Sequence, residues 1–465
     1  MEANKTDELG GEPVGKLLLK LAAPAIAAQI INLLYNLVDR MYIGHIQPTD
    51  TVGKLALTGV GVCLPLIMII SAFAALVAMG GAPRASIFLG KGEQRTAENI
   101  LGNCVTMLVA VSLVLTVVFQ IFSRDLLLMF GASANTIDYA VSYMRVYSLG
   151  TLFVQLTLGL NAFISAQGFA KISMLTVAIG ALCNIVLDPI FIFACGMGVP
   201  GAALATILSQ AVSMLWILRF LTGKKTVLHI RREFLRPERK VFLPCVALGL
   251  SPFIMQATES LIAVCFNSSL LKYGADLAVG AMTILTSVMQ FSMLPLQGLT
   301  QGAQPIISYN FGAGNAARVR KAFRLLLISC VVFSCTLWAA VQLFPQAFVL
   351  IFNDEPELVA FASWALRIYM AVTCVFGVQI ACQQTFIALG NAKCSLFLAL
   401  LRKMILLIPL IYILPNFFAD KTFAVFLAEP VADFLAVTTT ACLFFFQFRK
   451  SMRALEQPDK GGVEA

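Results

Sequence analysis

The stretch Leu17–Gly44, LLLKLAAPAIAAQIINLLYNLVDRMYIG, is apolar almost throughout, yet it carries Asp39 near its far end. A second apolar stretch, Asn184–Phe193, reads NIVLDPIFIF and holds Asp188. An ionised carboxylate in hydrocarbon costs several kcal/mol, so intramembrane acids face a wet cavity or a partner and by default mark an ion or substrate pathway. The two aspartates therefore point to a membrane transporter in which protonation or cation binding at Asp39 and Asp188 moves something else.

Composition supports that class. Of 465 residues, 59% are hydrophobic and 12% charged, with a mean hydropathy of +0.87. Soluble domains carry about 25% charged residues, which argues against a large soluble enzyme. Only two histidines occur, His45 and His229, and the twelve cysteines form no C-x-x-C pair. Most of these cysteines lie in apolar runs, where a free thiol behaves as a small hydrophobe. No metal site and no disulfide framework are expected. The apolar run that follows residues 1–16 is longer than the roughly 7–15 residues of a signal-peptide core, and it is expected to be retained as the first spanning helix.

A spanning helix needs about 20 apolar residues. Twelve such runs can be read, at about 17–43, 55–82, 97–121, 137–166, 169–194, 199–221, 241–271, 277–300, 320–345, 358–389, 393–416 and 422–448. Prolines inside them, among them Pro24, Pro189, Pro252 and Pro409, favour kinks. An even count puts both termini on one side. Lys and Arg concentrate on that side, most densely in Arg219–Lys240, RFLTGKKTVLHIRREFLRPERK, so both termini are expected in the cytoplasm. The net charge of +9 is then a property of cytoplasmic loops and implies no nucleic-acid partner.

The chain also repeats. A shift of 222 residues carries Ser142–Tyr147 (SYMRVY) onto Trp364–Tyr369 (WALRIY), and Phe130 onto Phe352. The same shift carries Gly168 and Lys171 onto Gly390 and Lys393. Six helices per half is even, so both halves enter the membrane in one direction and form a parallel repeat. The expected fold is an all-α membrane protein with twelve transmembrane helices in two pseudo-symmetric six-helix lobes around a central cleft. Its parts are a cytoplasmic tail (1–16), an N-lobe (17–221), a basic linker (222–240), a C-lobe (241–448) and a second cytoplasmic tail (449–465).

Orientation converts sequence position into depth. At 1.5 Å per residue, Asp39 lies about one turn from the outer end of helix 1. Asp188 lies about a turn and a half from the outer end of helix 5, and Thr206 about two turns into helix 6. Tyr35 and Asn184 each precede their aspartate by four residues and share its helix face. Tyr35, Asp39, Asn184, Asp188 and Thr206 thus form one oxygen-rich layer suited to H⁺ or Na⁺. Any Na⁺ is expected at Asp39, Asn184 and Asp188. Two adjacent carboxylates cannot both stay ionised without a cation. The bland alternative pairs Asp39 with Arg40 and has Asp188 cap backbone freed by Pro189.

The second half lacks this layer, since Asn267 falls opposite Asp39 and Leu410 opposite Asp188. It offers Glu259, in SPFIMQATESLIAV, beside Gln256 and Met255, as a contact for a cationic substrate, a coupling group or a structural hydrogen bond. Met282, Met289 and Met293, with Gln290 and Phe291, suit a cavity that repacks around varied ligands, although such a stripe also serves as core. Met255, Gln256, Glu259, Met289 and Met293 are the candidate substrate contacts. Arg145, Arg367, Arg402 and Lys403 are expected to snorkel or to pair with Glu429 and Asp433. The strings LGKGEQRTAE and FGAGNAARVR are turns rather than P-loops. With no ATPase motif and no cofactor motif, uphill transport must draw on an ion gradient.

The strings LYNLVDRMYIG, CNIVLDPIFIF, VPGAALATILSQ, QGAQPIISYNFGAGNAARVR and ALGNAK resemble those of MATE (multidrug and toxic compound extrusion) transporters. With AEPVADF, the likeness is to the MepA-like bacterial multidrug efflux group, and it runs from about residue 13 to 448. The resemblance implies export of organic, cationic and aromatic drug-like compounds in exchange for H⁺ or Na⁺ by alternating access. Its amino-lobe cation site falls on Tyr35, Asp39, Asn184, Asp188 and Thr206. Some members add acids on helices 7 and 10. Glu259 matches the first, while the middle of 358–389 has no acid, which favours coupling by the N-lobe. The expected setting is the plasma (inner) membrane, with the bilayer and drug-like small molecules as partners and one chain as the working unit. A lipid-linked oligosaccharide flippase or another small-metabolite exporter of the same plan is the nearest alternative, and a channel is more distant. An intramembrane enzyme would need a nucleophile–base pair or metal ligands that these spans do not carry.

Overall fold

Backbone amides in lipid must be satisfied within their own segment, which leaves helices as the solution for apolar runs of this length. The computed structural model describes residues 5–46 and 50–456, with side chains from 8 to 46 and from 53 onward. Among the described residues every regular element is helical. A short helix, Lys5–Gly11, precedes α1 (Val14–Gly44), α2 (Asp50–Gly90) and α3 (Gln94–Met129). Then come α4 (Ile137–Leu149 with Thr151–Ala166), α5 (Ala170–Pro189, extended by a π-helical turn Ile190–Ala194) and α6 (Val199–Leu221).

Arg239–Gly312 is one helical run of 74 residues. At 1.5 Å per residue it would be about 110 Å long, more than three hydrocarbon thicknesses. It is broken at Ala275, whose φ of 52° and ψ of −158° are not helical. The break separates α7 (239–274) from α8 (276–312). After it come α9 (Ala316–Leu343), α10 (Pro356–Tyr369 with Thr373–Ala388), α11 (Ala392–Leu400, π-helical Leu401–Leu407 and Ile408–Ile413) and α12 (Lys421–Glu456). With each bent pair counted as one span there are eleven apolar crossings among the described residues, and the break at Ala275 makes twelve.

The repeat is a structural one. Gly92 and Gly314, 222 residues apart, end α2 and α8 with φ of 77° and 73°. Gly168 and Gly390 do the same after α4 and α10, with φ of 88° and 74°. These turns need a left-handed residue, which glycine supplies without a Cβ penalty. Gln120 Nε2 donates to the Arg145 carbonyl at 2.7 Å, and Gln342 Nε2 donates to the Arg367 carbonyl at 2.9 Å. Both α4 and α10 are bent at the matching place, by 59° and 50°.

The lobes meet at one end only. Near the face where α1 begins and α12 finishes, called here the terminal face, buried clusters draw on both halves. One unites Leu17, Leu21 and Ala170 with Ala303 and Ile307, and another unites Val77 and Leu101 with Cys245. Near the opposite, distal face the clusters are separate: Ile43, Val60, Tyr143 and Ile207 in the N-lobe, and Phe266, Leu285, Tyr369 and Phe426 in the C-lobe. A cleft therefore opens at the distal face. Between the clusters that draw on both halves, the helices of the terminal seam touch backbone to backbone at glycines. A Cβ on Gly80 would collide with the Cys245 carbonyl, and one on Gly249 with the Leu76 carbonyl. Gly90 and Gly312 meet the Tyr309 and Ile87 carbonyls in the same way, and Gly302 meets Ala22 of α1.

The linker between lobes is not a free tether. Gln167 Oε1 accepts bonds of 2.9 Å from Thr226 Oγ1 and from the amides of Val227 and Leu228. Buried Glu98 accepts from the His229 amide and from Arg231. The segment is bolted to the terminal end of the N-lobe.

Because Gly80 meets the Cys245 backbone directly, Gly80→Leu should cost about 1–3 kcal/mol of packing and bias the protein away from terminal closure. Labelling of Cys245, which is fully buried, by a membrane-permeant maleimide should become faster than in wild type; unchanged labelling would show that the seam yields freely.

Candidate functional site

Both aspartates sit where the helix itself is irregular or ends. Asp188 is the penultimate residue of the α-helical part of α5, and after Pro189 the backbone widens into the π turn Ile190–Ala194. Proline supplies no amide to the ladder, and π segments recur at functional positions. Asp39 lies in the last two turns of α1, which packs along α5. The packing brings Asp39 and Asp188 face to face, near enough to share a proton. Asp188 and Asn184 are buried, and Asp39, Tyr35 and Thr206 partly so. Asn184 Nδ2 donates to Asp188 Oδ1 at 3.1 Å and to Thr206 Oγ1 at 3.5 Å.

Three oxygens at this point have no donor among the described residues: Asp39 Oδ1, Asn184 Oδ1 and Asp188 Oδ2. A buried acceptor left unmatched costs about 1–3 kcal/mol, so three together form a place for a proton or a small hard cation. No ion pair joins Asp39 to Arg40 among the described residues.

The C-lobe is built differently. Its π segment, Leu401–Leu407 in α11, carries Arg402 and Lys403, both buried. Arg402 donates through Nε to Asp433 at 2.6 Å and through Nη2 to Glu429 at 3.1 Å, and its guanidinium lies 4.5 Å from the Phe376 ring centroid. Lys403 Nζ donates to Glu259 Oε1 at 2.7 Å. The lysine side chain is 6% exposed while Glu259 is 51% exposed. On α7 the open side divides into a polar arc, Gln256, Glu259, Ser260 and Asn267, and an apolar arc, Leu261, Val264 and Leu271. Glu259 therefore belongs to the cleft side, and Lys403 neutralises it from behind.

The MatE family model matches residues 24–190 and 252–413, covering most of both lobes. The chain belongs to the MatE family. The multidrug export protein MepA of Staphylococcus haemolyticus is 24% identical over 91% of this chain and 92% of that protein. A solved MATE multidrug transporter, DinF-BH, is 33% identical, with a TM-score of 0.87 over 95% of this chain and 98% of its own. A MATE structure in the bent conformation superposes with a TM-score of 0.90 at 21% identity, over 98% and 100% of the two chains. This MatE protein is thus a multi-pass membrane protein of a multidrug efflux transporter family, and not an enzyme.

The five residues assigned to a cation layer in this MatE protein do come together. Tyr143 joins them: its ring is buried, and its hydroxyl faces Asp39 and Thr206. Tyr147 lies beside Tyr35. In sequence the string SYMRVY reads only as a repeat marker, although the four-residue spacing of its tyrosines already puts both on one face. The equivalent of Tyr147 in the repeat, Tyr369, lies among Glu259, Glu429 and Asp433. The expected pairing of both α11 cations with Glu429 and Asp433 holds for Arg402 alone, because Lys403 turns to Glu259 instead. The methionine stripe also divides. Met282 is core, Met289 and Met293 border the core, and Met255 Sδ accepts from Gln383 Nε2 at 3.0 Å. Gln290 and Phe291 are exposed, and Arg145 and Arg367 are exposed without ion-pair partners among the described residues.

Removing the cation that bonds two buried acids should be severe. Arg402→Met is expected to lose about 3–5 kcal/mol, seen as a lower unfolding midpoint in detergent micelles, and adding Glu429→Gln and Asp433→Asn should recover most of the loss. Wild-type melting in the single variant would mean that the network carries no stability.

Proposed function

We propose that this MatE protein is a secondary active antiporter of the plasma (inner) membrane. It exports organic, cationic and aromatic compounds in exchange for H⁺ or Na⁺ by alternating access. The observation that supports this reading is the trio of unmatched oxygens on Asp39, Asn184 and Asp188, set in one lobe beside a cleft open at the distal face. With both termini cytoplasmic, as the distribution of Lys and Arg favours, the distal face is external. The coupling ion then meets the aspartates from outside, where its gradient is supplied.

Coupling follows from the charge of the pair. Two facing carboxylates repel unless a proton or Na⁺ lies between them. Entry of that cation lets α1 and α5 draw together at the π turn. An ion can shift the equilibrium between outward-open and inward-open states only by its difference in affinity for them. The pair supplies that difference if closing the cleft changes its desolvation. Asn184 holds Asp188 and is itself tied to Thr206, Tyr35 and Tyr143 lie beside Asp39, and one chain contains the whole cleft.

Substrate contact is assigned to the C-lobe side of the cleft, at Glu259, Gln256 and Met255 with Met289 and Met293. A cationic drug would approach the exposed oxygen of Glu259, and the polarizable methionines would adapt to its rings. A flippase for a pyrophosphate-linked lipid would want free cations in the cleft, whereas Arg402 and Lys403 are both neutralised by acids.

In proteoliposomes, Asp39→Asn and Asp188→Asn should each reduce gradient-driven drug uptake to the level of empty vesicles while leaving the detergent melting profile in place. Full uptake by both variants would sink the coupling assignment. Wild-type uptake under an imposed ΔpH alone, and under ΔNa⁺ alone, identifies the ion; uptake under neither would exclude antiport. Glu259→Gln should weaken apparent affinity for cationic drugs but not for neutral ones, and equal effects on both would remove Glu259 from the substrate surface.

A further inference from the structure

On the terminal end of the C-lobe, α9, α10 and α12 enclose an open groove of about 400 Å³. Its floor is apolar, formed by Phe323, Leu327, Val378, Cys382, Phe444 and Phe448, and Arg320 and Arg449 stand at its edge. Phe323 lies against Phe444 and Phe448 with ring centroids 4.5 and 5.1 Å away. Arg449, Lys450 and Arg453 line an adjoining hollow with Phe445 and Phe446, which are 61% and 69% exposed. Arg320 is paired to Glu456. Among the described residues no carboxylate pairs with Arg449, Lys450 or Arg453.

The internal repeat shows what this place lacks. Subtracting 222 from Phe323, Leu327, Val378 and Cys382 gives Leu101, Val105, Leu156 and Leu160. In the N-lobe those four belong to one cluster with Val227, Leu228 and Ile230 of the linker, and Leu228 is fully buried there. The chain thus fills the N-lobe groove with its own apolar side chains. The rim is filled as well: Glu98, the equivalent of Arg320, takes Arg231 and the His229 amide from the linker. In the C-lobe the chain after Phe448 instead continues helically to Glu456. The residues after it, Gln457–Ala465, include one large apolar side chain, Val463. The polarity at the rim is reversed from acid to base.

We infer that this groove is a binding site for an anionic glycerophospholipid of the leaflet at the terminal face. The acyl chain takes the place that Leu228 and its neighbours hold in the N-lobe, and the headgroup phosphate lies among Arg449, Lys450 and Arg453. The depth suits that occupant, because the apolar run of α12 ends at about Phe448 and the three cations follow in the headgroup layer. Basic pockets between helices at this level select anionic headgroups, and each Lys or Arg near the surface contributes a similar increment of attraction. A water-soluble anion would leave the phenylalanine floor uncovered, and a zwitterionic lipid would leave the cations unanswered.

The test is native mass spectrometry of the full chain released from micelles. The micelles contain phosphatidylglycerol and phosphatidylcholine with identical acyl chains. Wild type should retain phosphatidylglycerol saturably and in preference. The triple variant Arg449→Gln, Lys450→Gln, Arg453→Gln should lose that preference by a factor on the order of ten to a hundred. Its detergent melting profile should stay in place, since all three side chains are exposed. Val378→Trp, which fills the groove, should lower retention of both lipids. Equal retention of the two lipids by wild type, or undiminished preference in the triple variant, overturns the inference. So does displacement of phosphatidylglycerol by glycerol 3-phosphate at equal concentration, which would make the site one for a free phosphate.

Discussion

A charge carried into hydrocarbon must be answered by another charge, a proton or water, and the two lobes answer it in different ways. In an environment of low dielectric an isolated ion is prohibitive and a half-satisfied network is worse than none. The C-lobe meets the constraint internally. Arg402 is held by Glu429 and Asp433, and Lys403 by Glu259. The N-lobe does not. Asp39 and Asp188 face each other with three neighbouring oxygens unmatched, and the proposed coupling ion is the partner that would answer them. One lobe keeps its charges paired within the chain, while the other leaves room for a charge from solution.

The same logic explains where the helices are irregular. The polar cluster of each lobe is attached to a π-helical segment of its fifth helix, at Ile190–Ala194 in α5 and Leu401–Leu407 in α11. A π turn rotates the side chains that follow it and loosens the local ladder, so a charged residue there can be re-aimed at lower cost than in a regular helix. The seam between lobes works by the opposite means. Gly80, Gly249, Gly90 and Gly312 place backbone on backbone, giving close contact at points between the apolar clusters. Parting the lobes, as the proposed alternating access requires, must open these glycine contacts together with the apolar clusters that flank them.

Much of this was legible in sequence because lipid imposes its rules locally. Apolar runs of spanning length, the 222-residue shift and the four-residue spacing of Tyr35 with Asp39 and Asn184 with Asp188 are all one-dimensional signals. They led to the twelve spans and to the five-residue layer that the structure assembles. The failures share a cause. By sign of charge alone Lys403 could have answered Glu429, Asp433 or Glu259; in the fold Arg402 takes the first two and Lys403 the third. Met282 and Met289, seven residues apart, share one helix face, and only the packing of neighbouring helices shows that the first is core and the second borders it.

Hydrophobic length, sign of charge and residue spacing are properties of the chain alone, and from them come the membrane class, the two-lobed repeat and the asymmetry of acids between halves. Which cations neutralise which acids is settled by the folded arrangement. So is the place of Tyr143 beside the aspartate pair, and the face at which the cleft opens. The linker fills the N-lobe groove while its C-lobe counterpart stays open, and that contrast too exists only in three dimensions. These outcomes turn on distances between segments far apart in the chain, where a displacement of a few Å separates an ion pair from an unanswered charge.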